Sequence, residues 1–443
     1  MTIYKKLSIL VLNYLRFFAR YRLQKINPII IGITGSAGKT SCRKAVVQIL
    51  KTKGVVKESL HANSESGLSL NILDLTPLDY SFLDWLRLCF LAPIRAFSPC
   101  KKYTYYVAEM EADSSVSPKN MDYLLSILKP NIGIYVSSGV VHSEGFDKQV
   151  VDNHPLRRAT KLKKAIVAEN GKLLTSLPKQ AVAIYNADDQ EIAQLAETLR
   201  SRKLSVGHGN SLLKITSCQV NSSGFHSRYR YQGLDYNLKL TNILEENYAM
   251  TFGLALAAGA SLGVSLSKGI KALSEKVIIP PGRFRIFPAI KDSTLIDSSY
   301  NSSPKSVASA LKLLKDLGKK RPTVAILGDM RELGSLSKVA HRDLAMQVMK
   351  CAKACYLFGK ETKAHTLPLL KTAKFPVHHF DSMSKLISYV KKHLPSNSLI
   401  LVKGSQNTIF LERAVSALLK NSSDTAKLCR RGKYWDRIRD KTP

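Results

Sequence analysis

Acidic residues are scarce in this chain: 33 Asp and Glu stand against 67 Lys and Arg over 443 residues, for a formal net charge of +34. A field of that sign favours acidic partners, whether nucleotides, polyanions or an anionic membrane surface, without choosing among them. Cysteine is sparse and dispersed. The seven thiols, at 42, 89, 100, 218, 351, 355 and 429, form no CxxC pair, which argues against both a disulfide framework and a zinc site. Long apolar runs are missing too. The N-terminal run Leu7-Ser-Ile-Leu-Val-Leu-Asn-Tyr-Leu15 is interrupted by Ser8 and Asn13, whereas a spanning helix needs about 20 apolar residues. No small-residue cleavage site follows it, so a signal peptide is not expected. Internal repeats, low-complexity stretches, recognition helices and aromatic RNA-binding strands are likewise lacking, so no nucleic-acid partner is expected.

What is present is the ordinary balance of a globular protein, 45% hydrophobic and 23% charged, at a length that suits two or three domains. Residues 1–27 carry Lys5, Lys6, Arg16, Arg20, Arg22 and Lys25 and no acid. Leu7, Leu10, Val11, Tyr14, Phe17, Phe18 and Tyr21 fall on one helical stripe. Such a basic amphipathic helix either packs on its own protein or lies on a membrane, and packing is the expectation. After it, Ile29-Ile-Ile-Gly-Ile-Thr34 reads as a buried strand, with further strands at 103–108 and 131–136. Strands alternating with helices imply a mainly parallel sheet covered on both faces. An apolar helical insertion at about 77–100 interrupts the pattern. A second α/β unit starts at Pro280, with strands at 294–297, 322–327, 354–358 and 398–402 between helical patterns, a doubly wound, Rossmann-like domain. The expected layout is therefore a helix at 1–27, a central P-loop domain at 28–279, and a C-terminal domain at 280–443 ending in a basic tail.

Chemistry concentrates at Gly32-Ile-Thr-Gly-Ser-Ala-Gly-Lys-Thr40, between the first strand and its helix. Glycines let backbone amides curl around phosphate oxygens, and the helix N-terminus adds a favourable dipole. In this reading Gly35, Ser36, Ala37, Gly38 and Ser41 line the phosphates, Lys39 neutralises them and the Thr40 hydroxyl ligates Mg²⁺. Five residues rather than four separate Gly32 from Gly38, so the loop is a variant of the strict P-loop. Glu109 ends the second strand and His142 follows the third. Both sit where a parallel sheet opens its carboxyl-end crevice, which suits them as further metal ligands.

These strings resemble the Mur ligase family, closest to its branch that adds D-alanyl-D-alanine. The resemblance runs collinearly through Glu109-Met110, His142-Ser-Glu144, Asn186-Ala-Asp-Asp189, Pro281-Gly-Arg283, Asp297-Ser-Ser-Tyr-Asn301, Leu327-Gly-Asp-Met-Arg-Glu-Leu-Gly334 and Val402-Lys-Gly-Ser405. It implies an ATP- and Mg²⁺-dependent amide ligase in which ATP phosphorylates a carboxylate and an amine attacks the acyl phosphate. A peptidoglycan precursor would receive D-Ala-D-Ala or an amino acid. An acceptor without UDP, or one linked to lipid, is the alternative, and a non-catalytic nucleotide-binding protein a more remote one. By the same resemblance Lys39, His142 and Arg283 are catalytic, Asn247 contacts adenine, and Arg283 and Asp297 close on phosphate and ribose. Tyr300, Asn301 and Lys403 are substrate candidates. The sequence departs from the family in three places. Few residues precede the first strand, so the N-terminal UDP-binding domain is expected to be missing. Asn170 stands where relatives carry a carbamylated, metal-holding lysine, with Lys172 nearby. Only Asn247 remains of a His-Asn-x-x-Asn run. A monomer in the cytoplasm is expected, with attachment to the inner membrane face as the alternative.

Overall fold

The computed structural model describes residues 3–60, 62–139, 143–147, 150, 152, 154–221, 223–275, 279–405 and 409–440. The chain divides into two compact units. The first comprises Met1–Ser217, Ser227–Leu238 and Tyr248–Ile278, and the second Cys218–His226, Lys239–Asn247 and Ile279–Pro443.

The chain opens with α1 (Ile3–Ile26), β1 (Ile29–Thr34), α2 (Lys39–Leu50), β2 (Val56–Glu58), α3 (Glu65–Ile72) and α4 (Phe82–Phe97). It continues with β3 (Tyr105–Glu109), α5 (Met121–Ile127), β4 (Ile132–Tyr135), α6 (Pro155–Thr175), β5 (Val182–Asn186), α7 (Gln190–Glu197) and β6 (Arg202–Gly207). Three further strands, β7 (Leu213–Asn221), β8 (Gly224–Tyr231) and β9 (Leu234–Leu240), precede α8 (Tyr248–Ser261) and α9 (Leu266–Glu275). The sheet runs in the order β2-β3-β1-β4-β5-β6-β7-β8-β9, and β2 through β6 are parallel. Central parallel strands are buried on both faces and read as continuous apolar runs, and Ile30 to Thr34 are all buried accordingly. Only the Asn186–Asp189 string at the end of β5 marks any of the strands from β5 to β9 in the sequence.

The second unit contains β10 (Arg285–Pro288), β11 (Thr294–Ser298), α10 (Pro304–Leu317), β12 (Thr323–Gly328), α11 (Ser337–Cys351) and β13 (Ala354–Phe358). After these come α12 (Leu367–Thr372), β14 (Val377–Phe380), α13 (Met383–His393), β15 (Leu399–Lys403), α14 (Glu412–Leu418) and α15 (Lys433–Asp440). Its sheet has the order β10-β11-β15-β12-β13-β14. All neighbours are parallel except β10, which runs antiparallel to β11. Two cores flank this sheet, one under α10 and α11 and one under α13 and α14. The α/β class and the second sheet domain agree with the expectation from sequence.

Helix α1 packs within the first unit, and of the stripe that sequence singles out only Val11 and Phe18 press on its core. Leu12, Leu15, Ala19 and Leu23 enter a core shared with α3, α4 and α5. The stripe through Leu10, Tyr14, Phe17 and Tyr21 faces outward. Arg22 anchors the helix by donating to the carbonyls of Leu73 (2.9 Å) and Arg95 (3.0 Å), and it pairs with Asp74. The two stripes predict opposite costs of truncation. Leu15→Ala should destabilise the unit by about 2–5 kcal/mol, the range for emptying a closed apolar site. Phe17→Ala should stay within about 0.5 kcal/mol of wild type. Urea denaturation of both variants checks the contrast, and equal effects would show that the outward stripe is buried.

Candidate functional site

The loop between β1 and α2 bends at two glycines whose backbone favours the absence of a side chain. Gly35 has φ +139° and Gly38 φ +84°, in the half of conformational space that L side chains avoid. A Cβ on Gly35 would also stand 2.9 Å from the Ser137 amide nitrogen. Gly38 is the N-cap of α2 and supplies no side-chain cap, so the helix presents its first-turn amides and dipole to the loop, the arrangement that binds anions. Ser137, just beyond β4, fastens the loop. Its carbonyl accepts from the Ser36 amide (2.8 Å) and its hydroxyl from the Ala37 amide (3.0 Å). The Ser36 hydroxyl donates to the Gly139 carbonyl (2.9 Å).

Strand register brings the charged side chains to this loop. Ile33 of β1 is level with Glu109 of β3, and Thr34 with Tyr135 of β4, so loop, carboxylate and post-β4 segment leave the sheet at one edge. The Thr40 hydroxyl donates to Glu109 Oε2 at 3.1 Å. Glu109 Oε1 accepts from Arg43 Nε at 2.6 Å, and Arg43 also pairs with Glu58. Lys39 is buried, with its Nζ on the Gly35 carbonyl (2.5 Å) and Glu111 Oε1 (2.6 Å). Glu111 Oε2 accepts from Asn63 (2.9 Å). Ser41 shares a hydrogen bond with the Tyr248 hydroxyl at 3.2 Å. Thr40 and Glu109 form an all-oxygen pair of the kind that holds Mg²⁺ together with nucleotide phosphates, since that ion is seldom caged by protein alone. Among the described residues no group of three His, Cys, Asp or Glu could hold a metal by itself.

His142 lies outside the described residues. The segment that leads to it is tied down by Asp189, whose carboxylate accepts from the Ser138 amide (2.9 Å) and hydroxyl (2.6 Å). Asn186 donates to the Val136 carbonyl (3.0 Å), so the Asn186–Asp189 string is explained as an anchor. Asn170, on α6, is buried and turned inward. Its Oδ1 accepts from Thr34 (2.8 Å) and its Nδ2 donates to the Ile166 carbonyl (3.1 Å). Lys172 points elsewhere, pairing with Asp122 and Glu169. The side chains that sequence missed here are Glu111, Arg43 and Ser137.

In the second unit the Arg283 and Arg430 guanidiniums lie 4.7 Å and 5.2 Å from the centre of the Tyr300 ring, within cation–π range. Arg430 is also paired with Glu412 at 2.7 Å. Asp297 is fully buried: Oδ1 accepts from the Ser299 amide and hydroxyl (3.0 and 2.6 Å), while Oδ2 has no hydrogen-bond partner among the described residues. Burial holds its carboxyl above the usual range, partly offset by the Ser299 bonds. Lys403 is buried as well and donates to Ser298 Oγ (3.1 Å) and the Asn301 carbonyl (2.9 Å). Asn301 Oδ1 caps the Ser302 amide (2.8 Å). Asn247 Nδ2 donates to Ser309 (3.0 Å) and Glu245 (3.4 Å). Asp297, Asn301 and Lys403 thus order one another's loop.

Two family models match the chain: the Mur ligase middle domain over residues 33–248, and the Mur ligase, glutamate ligase domain over residues 282–406. Among similar proteins is the UDP-N-acetylmuramoyl-tripeptide–D-alanyl-D-alanine ligase of Escherichia coli (strain K12). It is 26% identical over 412 residues, covering 90% of this chain and 79% of that protein. The corresponding ligase of Bacillus subtilis (strain 168) is 23% identical over 413 residues, covering 93% and 80%. Among solved structures, MurF ligase from Thermotoga maritima in complex with ADP aligns with a TM-score of 0.72 at 20% identity, over 92% of this chain and 83% of that one. MurF from Acinetobacter baumannii aligns at 0.74 and 20% identity, over 93% and 81%. With the phosphate loop in place, the class is that of ATP-dependent ligases that form a carbon–nitrogen bond. The chain belongs to the Mur ligase family.

The buried lysine of the second unit has a consequence for stability. Burial lowers the Lys403 pKa from 10.5 to about 8, with the Glu245 carboxylate countering part of the shift. Between these two values the unfolded chain holds the proton and the folded chain has released it. Stability therefore rises with pH through that window. Lys403→Met should flatten the rise, read as the denaturation midpoint at the two ends of the window. A rise that persists in the variant would assign it to other groups.

Proposed function

We propose that this chain adds D-alanyl-D-alanine to the peptide of a peptidoglycan precursor, using ATP and Mg²⁺ and passing through an acyl phosphate. The observation that carries the reading is the level ending of β1 and β3, which sets Lys39, Thr40 and Glu109 around one helix N-terminus. The similarity to D-alanyl-D-alanine-adding ligases over most of the chain supports the substrate choice.

In this reading the precursor's terminal carboxylate attacks the γ-phosphorus of ATP, and ADP leaves. The dipeptide amine then attacks the acyl carbon, loses a proton, and expels phosphate as the amide forms. Such transfers are governed by positioning and charge neutralisation. Lys39 and the first-turn amides of α2 take the triphosphate oxygens. Thr40 and Glu109 would hold Mg²⁺, which when bound would supply charge neutralisation for the phosphoryl group, and Arg43 keeps Glu109 aimed. By the family resemblance His142 would serve as a ligand for a second ion. By the same resemblance Arg283, Asn247 and Asp297 remain the candidates for nucleotide contact in the second unit, the buried Asp297 through the loop it turns. Asn170, Asn301 and Lys403 act by positioning, because their polar atoms are engaged within their own units.

Lys39→Ala should lose roughly 3–4 kcal/mol of transition-state stabilisation, the scale for removing one preorganised donor. The assay is phosphate release that depends on both muramoyl tripeptide and D-alanyl-D-alanine, with product confirmed by mass. Near wild-type release by the variant would remove the phosphate loop from the mechanism. Wild-type turnover of ATP with other acceptors only would overturn the substrate assignment and leave the ligase chemistry standing.

A further inference from the structure

Among the described residues, large apolar side chains are exposed far more in one place than elsewhere. Of the 20 such side chains among the described residues, five lie on α1 and eight at residues 78–97, on α4 and the turn before it. On α1 the outward Leu7, Leu10, Tyr14, Phe17 and Tyr21 recur at helical spacing, a stripe about 20 Å long at the helical rise. On α4 the outward Leu83, Leu86, Phe90, Ile94 and Phe97 do the same. Phe17 and Phe90 are 64% and 72% exposed. The two stripes adjoin, because Phe97 meets Tyr21 at 4.9 Å and Phe18 at 6.2 Å between ring centres.

Intramolecular packing does not account for them. Each helix already buries a separate stripe, Leu12, Leu15 and Ala19 on α1 and Leu88, Ala92 and Ala96 on α4. Contiguous apolar surface on this scale marks a docking site. The charge around it identifies the occupant. Residues 3–26 contain six basic residues and no acid; at residues 78–102, Arg87, Arg95, Lys101 and Lys102 stand against Asp79 and a buried Asp84 that is paired with Arg87. Arg20, Lys25 and Arg95 are exposed, and Lys25 donates to the Phe97 carbonyl (3.0 Å) where the stripes meet. A second copy docked on the same face would set these predominantly basic segments against each other. An anionic lipid surface satisfies both features at once, taking the aromatic and aliphatic tips at headgroup depth and the ammonium and guanidinium groups at its phosphates.

We propose that α1 and α4 together form a docking face for an anionic membrane surface, lying in the interface plane. No helix among the described residues is long and apolar enough to cross a membrane, which fits a peripheral mode. The proposal is independent of the chemistry assigned to the loop. The test is sedimentation of the full chain with phosphatidylcholine vesicles with and without phosphatidylglycerol, at about 0.1 M and about 1 M salt. Binding should require the anionic lipid and weaken at the higher salt. The double variant Phe17→Glu, Phe90→Glu should bind about tenfold less or worse, with an unchanged thermal midpoint because both positions are exposed. Failure of the full chain to sediment with anionic vesicles, or binding that the double variant leaves intact, would overturn the proposal. A concentration-dependent dimer in light scattering that the double variant splits, without vesicle binding, would overturn it in favour of a second copy.

Discussion

The position at which β1 stops governs the chemistry of the first unit. Parallel pairing with β3 on one side and β4 on the other sets Ile33 level with Glu109 and Thr34 level with Tyr135. Side chains alternate faces along a strand, so a slip of one residue would turn Glu109 away from the loop. Both faces of these strands are buried, which leaves little tolerance for such a slip. Given that register, the turn at Gly35 and the start of α2 at Lys39 follow from the shortness of the loop. Ser137, one step past Val136, then lies where it can bond the loop's amides and carbonyl.

Much of this was legible in the sequence, for identifiable reasons. A glycine loop between an apolar strand and a helix, Glu109 at a strand end, and the alternation of the second unit all depend on local pattern. The positioning groups were harder to see because they depend on tertiary pairing, although periodicity pointed at some of them. Arg43 follows Lys39 by four residues, one helical turn, and Glu111 follows Glu109 by two, the spacing that returns a side chain to the same face. No local pattern reveals that Asn170 is bonded to Thr34 across 136 positions, or that Asp297 is buried. The same limit applies to α1. Its stripe was visible, but a helix of this composition offers two apolar stripes, and only the packing of α3, α4 and α5 decides which is covered.

The buried polar groups of the second unit are arranged so that each relieves another. Lys403 holds the Asn301 carbonyl, Asn301 caps Ser302, and Arg430 donates to the Ser299 carbonyl while pairing with Glu412. Buried charges are tolerated when hydrogen-bonded and paired, and removing one member leaves the other exposed to the full desolvation cost. The loop from Asp297 to Asn301 is therefore ordered before any ligand arrives. That preorganisation places the Tyr300 ring where Arg283 and Arg430 can lie over it.

The charge balance around the phosphate loop explains why such a site would take its nucleotide together with a cation. Lys39, Arg43 and Lys44 face Glu111, Glu109 and Glu58, three positive groups against three carboxylates. With Asn170 neutral and turned toward Thr34, it adds no charge to either side. A triphosphate entering this cluster brings several negative charges into a buried, already balanced setting, where unpaired charge is costly. Backbone amides and the α2 dipole offset part of that. In the proposed reading the remainder would come with the ligand, as a hard divalent ion that the Thr40 hydroxyl and Glu109 would hold in the all-oxygen environment such an ion prefers. In that reading Lys39 would exchange Glu111 for phosphate without leaving the half-buried carboxylate bare, because Asn63 still donates to Glu111. Asn63, rather than the ion pair itself, thus lowers the cost of that exchange.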